Sequence, residues 1–151
     1  MAAKKPAPEV LAMIVCDQII TDRLTAKQSL IGMFSTVHAT RFPASHPHLC
    51  IHVALTSGHG KTDFVIRIVD ADDARPPIVE GRGGVDFKDP RAVANLALQF
   101  RGLVFPEPGP YRVQLYSDGE LLREARLDLI LVKPRPRKRQ SDPGSNPEQL
   151  N

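Results

Sequence analysis

Apolar and polar side chains alternate in short stretches that are separated by clusters of Gly, Pro, Asp and Asn. The first apolar stretch, residues 10–20, is apolar on both faces for most of its length and predicts a strand that is covered on both sides or that changes partners. The second predicted strand covers residues 28–42, and Gly32 marks a bend within it. No stretch sustains a helical period, and about eight strands account for the pattern.

A β-hairpin is predicted in the middle of the chain, after a turn bracketed by Pro43 and Pro47. The apolar set on its first strand consists of Leu49, Ile51, Val53 and Leu55, and the set on its second consists of Phe64, Ile66 and Ile68. These sets oppose each other if the loop contains an even number of residues. Either Gly58-His59 or the whole of Ser57-Gly58-His59-Gly60 meets that condition.

Turn signals divide the second half of the chain into further strands. Residues 70–77 form a loop, and the glycines in residues 78–87 predict a bulged or edge strand. Asp89-Pro90 starts a turn, and residues 90–95 are compatible with one helical turn. The next apolar set comprises Leu96, Leu98, Phe100, Gly102 and Val104.

A last hairpin follows the proline-rich corner at residues 105–110. Its apolar positions oppose each other across an odd loop, which Ser117-Asp118-Gly119 supplies. Arg123 interrupts the alternation of its second strand.

Strands of this number and spacing predict an all-β fold, an antiparallel immunoglobulin-like β-sandwich of about 7–8 strands, with a small barrel as the alternative. The sandwich is expected to cover residues 10–132, after a flexible N-terminus at residues 1–9. Residues 133–151 contain little to bury and predict a disordered tail rich in Pro and basic residues.

Composition supports one folded domain, since 42% of the 151 residues are hydrophobic and 25% are charged. The net charge of +3 comes entirely from residues 133–151, which contain five Lys and Arg residues and two acidic residues, Asp142 and Glu148. The folded part is therefore neutral overall. A basic face on the domain does not follow from the high isoelectric point.

The two cysteines, Cys16 and Cys50, lie in apolar runs and are expected to be buried thiols. The chain shows no secretion signal and no run of 18 apolar residues. These features predict a cytoplasmic protein.

Three segments carry a family resemblance. The first contains Cys16-Asp17-Gln18-Ile19-Ile20 followed by Ser29-Leu30-Ile31-Gly32-Met33-Phe34, the second is Phe42-Pro43, and the third runs from Phe105 to Leu115. Together they resemble a bacterial family defined by a domain of unknown function, over roughly residues 10–132. The resemblance implies a sandwich fold and implies no activity, ligand or catalytic residue.

Two groups of side chains suggest ion binding. The five histidines are His38, His46, His48, His52 and His59. On one strand His48 and His52 would stand about 13 Å apart, too far to share an ion, so surface histidines are the better interpretation.

Asp70, Asp72 and Asp73 lie in one predicted loop, which resembles a calcium-binding inter-strand loop. Such a site would need Asp86 and Asp89 as a second set of ligands.

No segment predicts catalysis, because the chain contains no nucleophile elbow and its Gly81-Arg82-Gly83-Gly84 run does not match a phosphate loop. The sequence thus predicts no catalytic, cofactor or metal residue and no cofactor. It favours a non-catalytic interaction or structural module with a protein partner. The alternatives are a calcium- or ligand-binding sandwich that uses the Asp70–Asp73 loop, and weak binding of nucleic acid, another polyanion or an anionic membrane by residues 133–139.

Overall fold

The computed structural model describes residues 5–136 and contains two packed β-sheets. The strands are β1 (Glu9–Thr21), β2 (Gln28–Met33), β3 (Thr36–Ala39), β4 (Ala44–Thr56), β5 (Gly60–Asp70), β6 (Val79–Phe87), β7 (Ala94–Phe105), β8 (Gly109–Ser117) and β9 (Glu120–Leu131). One sheet has the order β2-β1-β4-β7 and the other β3-β9-β8-β5-β6. The all-β, immunoglobulin-like sandwich predicted from the alternation is confirmed, with nine strands in the described residues.

The core lies between the sheets and is made by the alternating residues of β4, β5, β8 and β9. Its fully buried members include Leu49, Ile51, Val53, Leu55, Phe64, Ile66, Ile68, Val113, Leu115 and Leu127. Tyr111 joins them, with its ring edge-on to that of Phe105 at 5.1 Å between centroids. Its hydroxyl donates to the carbonyl of Glu107 at 2.7 Å, the tyrosine-corner bond of immunoglobulin-like folds.

The predicted hairpin between β4 and β5 is wrong, because these strands belong to different sheets. Both apolar sets are buried as expected, but they face each other across the core. The short connection after Thr56 carries the chain from one sheet to the other. Alternation tells which face of a strand is buried, but two facing sheets satisfy it as well as one paired hairpin does.

The single strand predicted over residues 28–42 is two strands in opposite sheets. β2 pairs with β1, and β3 runs parallel to β9, the one parallel pair of the described part. The change occurs at residues 34–35, where the Phe34 amide donates to Val15 of one sheet and the Ser35 carbonyl accepts from Asp128 of the other. Local sequence cannot show this change, because both halves keep an extended backbone.

Two predicted turns also differ. Pro47 lies inside β4, whose ladder to β7 continues on both sides of it, and is not the end of a turn. Residues 90–95 form no helical turn; the Ala92 amide donates to the Asp89 carbonyl, which closes a β-turn. The expected edge position of β6 is confirmed.

The last hairpin closes through two residues, Asp118 and Gly119, which both have positive φ. A register shift between Leu115 and Tyr116 then restores the predicted opposition of apolar positions. Arg123 stands opposite the buried Leu115, and its guanidinium donates to the Val10 carbonyl of β1 at 3.3 Å. This residue thus links the two sheets at the point where the alternation fails.

Candidate functional site

A cleft of about 450 Å³ crosses β1, β4 and β7. Its lining residues are Asp17, Gln18, His46, Pro47, His48, Cys50, Gln99, Phe100 and Arg101. Acidic, basic and neutral polar residues therefore line the cleft together with Pro47 and Phe100. The sequence patterns did not single out this set.

The cleft lies where two paired strands change the face that they bury. Leu98 and Phe100 pack against the core, but the next buried residues of β7 are Leu103 and Phe105, and Val104 is 54% exposed. The change occurs at Gly102, whose φ is +62°. The flanking pairs place Gly102 opposite Pro47 of β4, so both strands change face together. The prediction that Val104 shares the buried face of Phe100 is therefore wrong.

His46 contributes the most enclosed polar group of the cleft. Its ring lies 5.4 Å from that of Phe34, and its Nε2 is 4.0 Å from Asp17 Oδ1. This Nε2 is buried and has no hydrogen-bond partner within residues 5–136. Such an atom is available to a polar group that enters the cleft.

Cys16 and Cys50 meet directly across the β1–β4 ladder. Both are free and buried, as the sequence indicated, and with Ile19 they form a small cluster apart from the main core. Burial and the neighbouring Cys50 raise the pKa of Cys16 above its ordinary value. The environment of Cys16 therefore disfavours its thiolate form.

The histidines do not converge. His38, His48 and His59 are exposed, and His52 Nδ1 lies 3.1 Å from Gln28 Oε1. Burial lowers the pKa of His52 below its ordinary value. Within residues 5–136 no three His, Cys, Asp or Glu side chains form a group that could hold a metal ion.

The expected second half of a calcium site lies at the wrong end of the sandwich. Asp70 ends β5, but Asp86 pairs with Lys61 at the start of that strand. Asp70 instead caps its own loop, with its Oδ1 accepting from the Ala74 amide at 3.0 Å. Because β5 and β6 are antiparallel, residues at the far end of β6 cannot reach the loop that joins them.

The glycine run at residues 81–84 has a packing role. A Cβ on Gly81 would lie 2.7 Å from Phe100 Cζ, because the Phe100 ring of the opposite sheet packs onto the β6 backbone. The Phe100 ring of β7 thus fills the space between β6 and β7 at Gly81. The outer backbone edge of β7 remains next to the cleft.

Residues 11–130 match the family of unknown function DUF6941. The chain belongs to this family. The three segments that carried the resemblance lie on β1–β2, on the approach to β4 and on the β7–β8 corner. No curated protein sequence matches the chain significantly.

Several solved structures contain a similar domain at low identity. An alkylpurine DNA glycosylase of Pseudomonas fluorescens bound to DNA is 12% identical with a TM-score of 0.41, over 64% of this chain and 27% of that one. A β-glucosidase of Listeria innocua is 11% identical with a TM-score of 0.40, over 81% of this chain and 16% of the enzyme. An immunoglobulin-like protein of Pseudomonas aeruginosa is 10% identical with a TM-score of 0.38, over 85% of this chain and all of that one. The chain thus spans a small part of the two enzymes.

Within residues 5–136, no helix has the length and apolarity needed to cross a membrane. The predicted disorder of residues 133–151 falls mostly outside the described part, as do residues 137–139 of the segment predicted to bind polyanions. Lys133 and Arg135, within it, are exposed.

Proposed function

We propose that this domain is a non-catalytic interaction module that binds an extended segment of another protein along β7. The supporting observation is that β7 is an edge strand of 12 residues beside the cleft. An edge strand carries unpaired amides and carbonyls, which can pair with a further strand.

The other outermost strands are less suited to this role. β2 has 6 residues and β3 has 4, so each offers a shorter ladder than the 12 residues of β7. β6 has 9 residues and carries Glu80, Arg82 and Asp86, which are charges of the kind that protect an edge. β7 carries one charged residue, Arg101, and that residue lines the cleft.

The cleft would supply selectivity. A strand added to β7 gains affinity from its backbone, and side-chain pockets decide which sequence fits. Arg101 and His48, which pair across the β4–β7 ladder, are both exposed next to the proposed ladder. Asp17 and the unpartnered Nε2 of His46 provide further polar contacts.

The experiment compares Ala97→Lys on β7 with Ser29→Lys on β2, the opposite edge of the same sheet; both positions are exposed. Tagged full-length proteins capture partners from a lysate, and hydrogen exchange is measured on each captured complex. We expect slower exchange in residues 94–105 of the wild type and in Ser29→Lys, and loss of the complex in Ala97→Lys. Protection confined to other strands, or equal binding by both variants, would contradict docking along β7.

A further inference from the structure

We propose that Cys16 and Cys50 form a cross-strand dithiol that small disulfides oxidise reversibly to an intramolecular disulfide. The two residues are partners in the β1–β4 register. Opposed residues of an antiparallel pair have Cα atoms about 4.5 or 5.5 Å apart, and disulfides require about 4.4–6.8 Å. The Cα separation expected for this register pair is therefore within the range that a disulfide needs.

The side chains point to the same small space. Cys16 Sγ donates to the Gln18 carbonyl at 3.5 Å, and Cys50 Sγ donates to the carbonyl of the neighbouring Asp17 at 3.6 Å. Both side chains lie in the cluster with Ile19. Both thiols therefore lie in one cluster beside the β1–β4 ladder, and the chain contains no other cysteine with which either could pair.

The two thiols differ in access. Cys50 is 4% exposed and lines the cleft, whereas Cys16 has no exposed surface and does not line it. An incoming disulfide therefore reaches Cys50 first, through the cleft. Cys16 then acts as the resolving thiol.

The reaction is two thiol–disulfide exchanges. The Cys50 thiolate attacks one sulfur of the small disulfide, the bond between its sulfurs breaks, and one thiolate leaves and takes up a proton. The Cys16 thiolate then attacks Cys50 Sγ, and the second small thiolate leaves and is protonated. The protein dithiol loses two electrons and two protons, and the small disulfide is reduced to two thiols.

Oxidation would cross-link β1 to β4 in the sheet that also contains β7. The Cys16–Cys50 bond would close a loop that contains residues 17–49. A cross-link that closes a loop of this length raises the melting temperature of the oxidised form by about 10 °C. Oxidation of the two thiols does not depend on partner binding at β7, since the exchange reactions need only the free chain and a small disulfide.

The test places the full-length native protein in glutathione buffers of increasing oxidised fraction, followed by acid quench, alkylation of free thiols and intact-mass analysis. We expect wild type to lose two hydrogens without a glutathione adduct, to melt at the higher temperature, and to recover on reduction with dithiothreitol. Cys16→Ala keeps the accessible thiol and should accumulate the glutathione adduct. Cys50→Ala should keep its thiol free.

Three results would overturn the proposal. The first is a wild type that keeps both thiols in the most oxidising buffer, and the second is one that stops at the glutathione adduct. The third is a disulfide that forms only as fast as the protein unfolds, measured by comparison with the unfolding rate. The wild-type measurement decides the question even if an alanine variant fails to fold.

Discussion

At the scale of single residues, Tyr111 shows how one polar atom fixes a corner between the sheets. Its ring is buried against Phe105, and its hydroxyl reaches the Glu107 carbonyl, four residues earlier in the chain. Burial raises the pKa of Tyr111, so the hydroxyl stays protonated and keeps donating. The corner therefore depends on this phenol.

We expect Tyr111→Phe to lower the free energy of unfolding by about 1–2 kcal/mol, because the Glu107 carbonyl loses its donor and the ring remains. Urea denaturation measures the change. Tyr116→Phe on the same strand is the control, since that hydroxyl donates to the Gln114 side chain at 3.2 Å on a half-buried surface. Equal losses in the two variants would contradict a special role for the corner.

His52 should make stability depend on pH. Because burial lowers its folded pKa below the ordinary 6.5, the unfolded chain takes up a proton first as the pH falls. The contribution of neutral His52 is therefore present above pH 6.5 and is lost as the pH falls toward the folded pKa. The stability advantage of wild type over His52→Gln should thus shrink between pH 8 and pH 5.

Chemical denaturation at several pH values measures this advantage. His38→Gln serves as control, because His38 is exposed on β3. An equally large pH-dependent change in His38→Gln would assign the effect to total charge instead of to the site of His52.

At the scale of elements, the contact between β6 and β7 depends on a glycine in β6, which has no side chain. The Phe100 ring and the Leu98 methyl group occupy the space where a Gly81 side chain would lie, with Leu98 Cδ2 at 3.3 Å. Gly83, two residues along the same strand, has only Leu96 Cδ2 within reach, at 3.9 Å. The two glycines therefore differ in the space beside them.

Gly81→Ala should destabilise the protein by about 1–3 kcal/mol, because the Phe100 ring must move. Gly83→Ala should be neutral or slightly stabilising, since the space is open and alanine reduces the freedom of the unfolded chain. Thermal melts of both variants test this difference. A similar loss in each would indicate that backbone freedom, and not the close approach of Phe100, requires glycine in β6.

At the scale of the whole molecule, Val132 follows β9, and its amide donates to the Ala39 carbonyl on β3. Residues 133–136 are exposed. The surplus positive charge lies wholly in residues 133–151. The sequence before residue 133 therefore has no net charge.

Removal of residues 133–151 should leave the melting temperature unchanged within error, because the truncated segment contains almost no apolar surface to bury. The net charge falls from +3 to 0. Retention on a heparin column should fall with it. A melting temperature lower by several degrees would show that the segment packs on the sandwich.

A full-length variant separates the effect of the tail's charge on heparin binding from the effect of its length. It replaces the five basic residues of the tail by glutamine, namely Lys133, Arg135, Arg137, Lys138 and Arg139. It should elute from heparin with the truncated protein. Elution with wild type would exclude the tail charges as the cause of retention.

The sequence by itself determined the fold class and most of the buried faces, because period-two alternation reflects which side of a strand avoids water. It also indicated the β8–β9 opposition and the buried thiols. Alternation is a local property, however. It could not assign β4 and β5 to opposite sheets or divide residues 28–42 between them.

Only the tertiary structure decided the candidate site. The cleft requires Gly102 and Pro47 to lie opposite each other, so that two strands change face in step. It also brings Asp17 of β1 beside His46 of β4, and Cys16 opposite Cys50, across many intervening residues. Such pairings follow from the balance of packing over the whole chain, which a residue's neighbours in sequence do not encode.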